Sequence, residues 1–269
     1  MFDLRRFLRL AAVHRAEHGR AILWFLGIGI AVHFCVWLLF TQGGGAREHY
    51  ANEMQSVVFV AGYLLTAPLF AGRHFAALSD RGSALTLLMR PASTFEKFLL
   101  AFLVVAVFYP LAYTLAFQVV NLPGAALGET ARDALVAVES AKPDGGTAKY
   151  LGTRDYSPYL PFAGGRMTFA WELNLLLATS ALQALVVVGS LYFRRLAWLK
   201  TLVALFALVV LVVPLLSVLF GGSIDRLFLD GIARASEPWL RTWLHAMWVA
   251  MPALFWASAF FFLRERELS

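Results

Sequence analysis

Two sets of residues in this sequence have types and spacings that could carry chemistry. The first lies within apolar runs. His33 and His245 could supply a base, and Ser180, Ser190, Ser217 and Ser258 a hydroxyl nucleophile. No serine sits in a G-x-S-x-G turn and no H-E-x-x-H occurs, so neither a hydrolase elbow nor a zinc-protease helix is encoded. Small residues in such runs more often let helices pack closely. His33 has two readings: a functional group, the default for an ionisable residue at mid-depth of a membrane, or a neutral histidine bonded to a neighbouring helix, which the sequence favours. Cys35, the single cysteine, excludes an intrachain disulfide and any CxxC site, and its apolar surroundings predict a buried, inert thiol. No G-x-x-x-x-G-K-[ST] is present, so the chain lacks the usual phosphate cradle for ATP.

The second set is the basic stretch from Arg73 to Leu100, R-H-F-A-A-L-S-D-R-G-S-A-L-T-L-L-M-R-P-A-S-T-F-E-K-F-L-L, between two long apolar segments. Phe75, Leu78, Gly82, Leu85 and Met89 recur at about 3.5 residues and form one apolar stripe. Asp80, Arg81, Ser83 and Arg90 are left to face water or a partner. Ser79, Asp80 or Ser83 can cap a helix start, and Pro91 stops the piece. Ser93-Thr94-Phe95-Glu96 is an S-x-x-E capping box placed just before an apolar run, with Lys97 beside it. The stretch 73–97 therefore reads as an elbow: a short bent helix, a stop and a helix restart. A loop that only sets topology needs fewer residues, though a decorated loop remains the alternative.

The elements around the elbow are membrane spans. Hydrophobic residues make up 60% of the 269, charged residues 15%, and the mean hydropathy is +0.68, which leaves too little polar surface for a soluble domain of this size. The runs predict six helical spans at about 21–40, 56–72, 98–121, 167–193, 201–220 and 243–263, the third kinked at Pro110. Solid runs exclude a transmembrane β-barrel, whose segments alternate. Residues 1–20 form a basic amphipathic helix. Leu4, Phe7, Leu8 and Ala11 share a face, with Arg5, Arg6, Arg9 and Arg15 mostly off it, which suits the headgroup layer; a plain basic tail is the alternative. The first run has no small-x-small cleavage site after it and is expected to be retained within a 21–269 transmembrane domain. Net charge is +6, but the basic residues sit at span ends and do not form a nucleic-acid surface. Five precede the first span, four lie in the elbow, three follow the fourth span and two lie in the tail. The positive-inside rule then places both termini and the elbow in the cytoplasm and the long 122–166 segment outside. Trp24, Trp37, Trp171, Trp198, Trp239 and Trp243 fall near span ends, where indole prefers to sit.

In Asp80, Gly82, Ser83, Leu85, Leu88, Pro91, Ser93 and Lys97 the elbow resembles the link between the second and third spans of type-2 ABC exporter membrane subunits. Aspartate stands where glutamate is usual there, and the longer outer segment here follows the third span. The resemblance implies an all-α polytopic fold with six spans, an interfacial N-terminal helix and a cytoplasmic coupling elbow. It implies that a separate ATP-binding cassette subunit docks on Leu78, Asp80, Arg81, Gly82, Ser83, Leu85, Leu88, Arg90 and Pro91. Ser93, Glu96 and Lys97 then restart the helix, and Leu4, Arg5, Phe7, Leu8 and Arg9 hold the interfacial helix. ATP and Mg would belong to that partner and no cofactor to this chain. A second copy or a homologous permease would complete the pathway in a bacterial cytoplasmic membrane. Spans nearly free of charge, with Glu172 the main exception, point to a partner-driven exporter of an apolar, amphipathic or lipid-linked cargo. The competing reading is a non-transporting assembly factor, sensor or anchor that works through its outer segment, where Tyr150, Tyr156 and Tyr159 lie.

Overall fold

Long apolar runs become long helices here because a helix satisfies its own backbone polar groups, which a bilayer cannot do. Helix α1 spans Leu4–Gln42 and α2 spans Asn52–His74. Helix α3, Thr94–Phe102, passes through a π-helical turn, Leu103–Phe108, directly into α4, Tyr109–Ser140. Helix α5 spans Phe169–Tyr192 and α6 spans Pro238–Leu268. The structure is a computed structural model that describes residues 2–42, 50–74, 91–141, 155–163, 169–192, 199–201, 203, 204, 207, 210 and 238–268. Regular structure among the described residues is entirely helical. Four stretches, Leu4–Phe40, Asn52–His74, Thr94–Val138 and Trp171–Ser190, are long and apolar enough to cross a membrane. That is the make-up of an all-α, multi-pass membrane protein. The first four expected spans fall on these stretches, and the sixth, 243–263, falls within α6. The fifth, 201–220, lies mostly outside the described residues.

Three expectations change. The interfacial helix and the first span form one unbroken rod, α1. Gly19 is the only poor helix former at the expected joint, and a lone glycine costs a helix about 1 kcal/mol, too little to stop it. The rod is ~58 Å long at 1.5 Å per residue, nearly twice a hydrocarbon core of ~30 Å, so its basic end must lie outside that core. The third span also runs past its expected end at Asn121. Residues 122–140, expected as the start of a loop, continue α4, with Pro123 inside the helix. The sequence A-A-L-G-E-T-A-R-D-A-L-V-A-V is rich in strong helix formers. Arg132 adds ion pairs to Glu129 (3.8 Å) and Asp133 (2.7 Å). Finally, Cys35 is exposed instead of buried. It lies on a rod on which Leu23, Trp24, Ile28, Val32, Phe34 and Leu39 are exposed too.

Two compact units can be distinguished. One comprises residues 1–7, 67–106 and 174–269. In it α3 packs on α6 through edge-on aromatic contacts: Phe102 to Trp256 at 5.0 Å, Phe98 to Phe260 at 5.3 Å and Phe98 to Trp256 at 6.1 Å. The Trp256 indole donates to Ser180 Oγ at 3.0 Å.

The other unit comprises 8–66 and 107–173. Its interior is aromatic, with Phe59, Tyr63, Tyr109, Tyr113 and Phe117 buried and in ring contact. Gly62 permits this approach of α2 to α4, since a Cβ there would sit 2.3 Å from the Tyr113 hydroxyl. His33 Nδ1 lies 3.0 Å from Gly29 O, and Nε2 lies 3.3 Å from Tyr113 Oη, so it bonds to a neighbouring helix.

The same unit carries a polar lock. Segment 155–163 is fixed onto α2, α4 and α5 largely through its own backbone. Tyr159 N donates to Gln55 Oε1 (2.8 Å), and Tyr159 O accepts from Gln118 (2.9 Å) and Asn121 (3.2 Å). Asn52 N donates to Asp155 O (2.9 Å), and Asn52 Nδ2 to Ser157 O (3.0 Å). Glu172, fully buried, accepts from the Tyr159 hydroxyl and from Phe162 N, both at 2.7 Å. The second bond holds Phe162 at φ 64°, a left-handed conformation uncommon for a bulky residue. Burial pushes the Tyr159 phenol above its ordinary range, and its hydrogen bond to Glu172 raises it further.

The lock yields an expectation. Tyr159→Phe should lower thermal stability by about 1.5–3 kcal/mol, the worth of a hydrogen bond to a charged group, measured by tryptophan-fluorescence melting in detergent. The phenol's share of stability is present below its unfolded value of about 10 and is lost as pH rises through its higher folded value. The wild type should therefore lose its advantage over the variant in alkali.

Candidate functional site

The site is built around one carboxylate at the start of α3. Ser93 is the N-cap, in extended conformation at φ −67°, ψ 153°. Its hydroxyl accepts from Glu96 N at 3.3 Å, and Glu96 Oε2 accepts from Ser93 N at 3.1 Å, so the S-x-x-E box is formed in both directions. Lys97 N donates to Ser93 O at 3.1 Å. The box begins two residues after Pro91, which is exposed at the head of the segment.

The same carboxylate holds the amino-terminal end of α1. Arg6 grips it with two nitrogens, Nε to Oε2 at 2.7 Å and Nη2 to Oε1 at 2.6 Å. Asp3 N adds a third bond to Oε1 at 2.9 Å. Asp3 in turn caps α1, with Oδ1 accepting from Arg5 N at 2.9 Å and its carbonyl from Phe7 N at 2.9 Å. Phe2 packs edge-on to Phe95 at 6.2 Å and against Phe7 at 5.8 Å. Glu96 thus receives four donors and is fully covered, while 39% of the Arg6 side chain stays accessible. A bidentate guanidinium–carboxylate pair fixes both distance and orientation. Its local effect is to fasten the first turn of α1 to the first turn of α3. No known protein family, curated protein or solved structure matches the chain.

The expected site residues are distributed as follows. Ser93, Glu96 and Lys97 are together, and Pro91 flanks them. Leu78, Asp80, Arg81, Gly82, Ser83, Leu85, Leu88 and Arg90 lie outside the described residues. On α1, Phe7 is half-buried beside the site, while Leu4, Arg5, Leu8 and Arg9 are exposed. The buried side of the first turns of α1 runs instead through Leu10 and His14. Sequence reasoning finds the capping box because it is local. It misses Arg6 as the partner of Glu96, because the two lie 90 positions apart and Arg6 is one of several arginines with similar spacing. The only available signal is that a glutamate entering an apolar run needs a cation. Among the serines considered as nucleophiles, Ser190 and Ser258 donate to carbonyls of their own helices. Ser180 accepts from Trp256.

Arg6→Ala should lower the melting temperature of the purified chain clearly more than Arg5→Ala, because only Arg6 neutralises a covered carboxylate. Glu96→Gln, which keeps the cap geometry and loses the charge, should make Arg6→Ala nearly silent. Additive losses in the double variant would show that the two side chains do not act as a pair.

Proposed function

We propose that this chain is the membrane subunit of an ABC-type exporter, driven by a separate ATPase subunit that docks on the cytoplasmic elbow 73–97. In this reading six spans and two cytoplasmic termini sit in a bacterial cytoplasmic membrane. The chain pairs with a second copy or a homologous permease. ATP and Mg bind the partner, and closure of the ATPase pair presses on residues 78–90. The second and third spans carry the push, and cargo crosses at the interface between membrane halves. Nearly charge-free spans favour an apolar, amphipathic or lipid-linked cargo over a small ion.

The observation that carries the reading is the Glu96 node. A simple turn between two spans has no need of a capped helix restart bonded to the amino-terminal helix by four donors. A segment that must receive a load and pass it into a span gains from a rigid foot, and the node supplies one where the elbow ends. The four long apolar stretches also support the reading, as does the resemblance of Asp80, Gly82, Ser83, Leu85, Leu88, Pro91, Ser93 and Lys97 to an exporter elbow. The polar lock on segment 155–163 favours a second reading, a non-transporting assembly factor, sensor or anchor that presents this ordered surface to a partner.

Mild-detergent purification from the native host separates the two. The exporter reading expects a chain with a Walker motif at two copies beside two membrane chains. Recovery of an extracytoplasmic partner without an ATPase would transfer the assignment to the second reading. Within the exporter reading, Gly82→Pro and Leu85→Asp should leave insertion intact and abolish ATP-dependent function. Full activity in both would remove the coupling role of the elbow.

A further inference from the structure

The third span contains a break in the regular α-helical bonding pattern. In the π-helical turn Leu103–Phe108 carbonyls bond to the amide five residues ahead instead of four. The turn directly precedes Pro110, which has no N–H and whose ring would clash with the carbonyl of Ala106 in an ordinary α-turn. Widening the helix relieves that clash, but it orphans another group. In the π pattern the partner of the Val105 carbonyl is the amide of residue 110, and a proline has none. Val105 is fully buried, so water does not reach it.

The missing donor comes from α5. Gln183, 1% exposed, donates Nε2 to Val105 O at 3.1 Å. Pro110 continues the irregularity on the far side, where its carbonyl accepts from Thr114 Oγ1 at 2.8 Å, a bond that draws helices into a bend. In sequence, the chain passes from one compact unit to the other between Ala106 and Val107, inside this turn. At the crossing in α2, between Thr66 and Ala67, a second helix breaker, Pro68, lies one residue on.

We infer that the π-helical turn with Pro110 is a hinge in the third span and that Gln183 is its latch. With the amide in place the Val105 carbonyl is satisfied and the turn keeps its geometry. When α5 withdraws the amide, the carbonyl is left bare and the turn must change geometry to find a donor. The element has two states because a helix that lacks one amide can bond this carbonyl only through an outside donor or by rearranging. The device belongs to this chain alone and does not depend on what drives it or on any cargo.

The test is a double-mutant cycle on the full chain in lipid nanodiscs, joined to a distance measurement. Gln183→Leu keeps the side-chain volume and removes the donor, whereas Pro110→Ala restores an amide to the third span. Gln183→Leu alone should lower the melting temperature by roughly 5 °C, the cost of an unsatisfied buried carbonyl. In the Pro110→Ala background the same change should cost less than half as much. Spin labels at Leu99 and Leu115, introduced as Leu99→Cys and Leu115→Cys with Cys35→Ser, should give a narrow distance distribution in the parent. Gln183→Leu should broaden it, and added Pro110→Ala should narrow it again. If Gln183→Leu alone fails to fold, recovery of folded protein on adding Pro110→Ala supports the latch, and failure to recover overturns it. Equal losses in both backgrounds, or a distribution that Gln183→Leu leaves unchanged, also overturn it.

Discussion

A backbone polar group inside a bilayer has no water to bond, so every carbonyl and amide there must find its partner within the protein. The rest of the architecture depends on this constraint. It makes the long runs helical and keeps α1 unbroken over Leu4–Gln42. It also makes each departure from regular helix conspicuous, because each needs a named substitute. Ser93 and Glu96 satisfy amides at the start of α3, and Gln183 satisfies a carbonyl that a proline has orphaned. Segment 155–163, which is not helical, has its backbone held by Asn52, Gln55, Gln118, Asn121 and Glu172. Substitution of any of these side chains by an apolar one removes a backbone's partner, not an ornamental contact.

The same constraint explains how the helices recognise each other. Lipid tails are as apolar as leucine, so hydrophobic burial gives helices little reason to associate in a membrane. Shape and directional bonds take over. The aromatic interior of Phe59, Tyr63, Tyr113 and Phe117 closes only because Gly62 leaves room for the Tyr113 hydroxyl, which donates to Phe59 O at 3.0 Å. In the other unit, the Trp256 indole meets Ser180 while Phe98 and Phe102 pack edge-on around it. Each contact combines close approach with one hydrogen bond, and each fixes a rotation of one helix against another.

What the sequence makes legible is what is local. Apolar run length locates four helices long and apolar enough to cross a membrane, and the S-x-x-E spacing locates the restart of a helix at Ser93. Pro110 marks an irregular place in the third span. The errors come from long-range or cooperative effects. Gly19 and the polar residues after Asn121 look like boundaries, yet a helix already propagating absorbs them at small cost. Cys35 looks buried because its neighbours are apolar, but in a membrane protein apolar surroundings do not distinguish an interior face from one that the chain leaves uncovered. The pairs Arg6–Glu96 and Gln183–Val105 span 90 and 78 positions, and no spacing rule reaches that far.

The buried polar side chains are committed inside the protein. Gln55 uses its amide nitrogen on Tyr50 O and its oxygen on Tyr159 N. Asn121 accepts from the Tyr50 hydroxyl, whose phenol burial pushes up to about 12, and donates to Tyr159 O. Glu172 is held by Tyr159 and Phe162, and Gln183 by Val105. A polar side chain engaged in this way cannot release its bonds to a passing solute without orphaning the backbone it serves. The surfaces that the described helices leave uncovered are instead those of residues such as Leu23, Ile28, Leu65, Leu111 and Val119. These uncovered residues match the chemistry of acyl chains, as a lipid-facing surface requires. The internal hydrogen bonding that keeps the fold intact in lipid thus commits these polar side chains to the protein's own backbone.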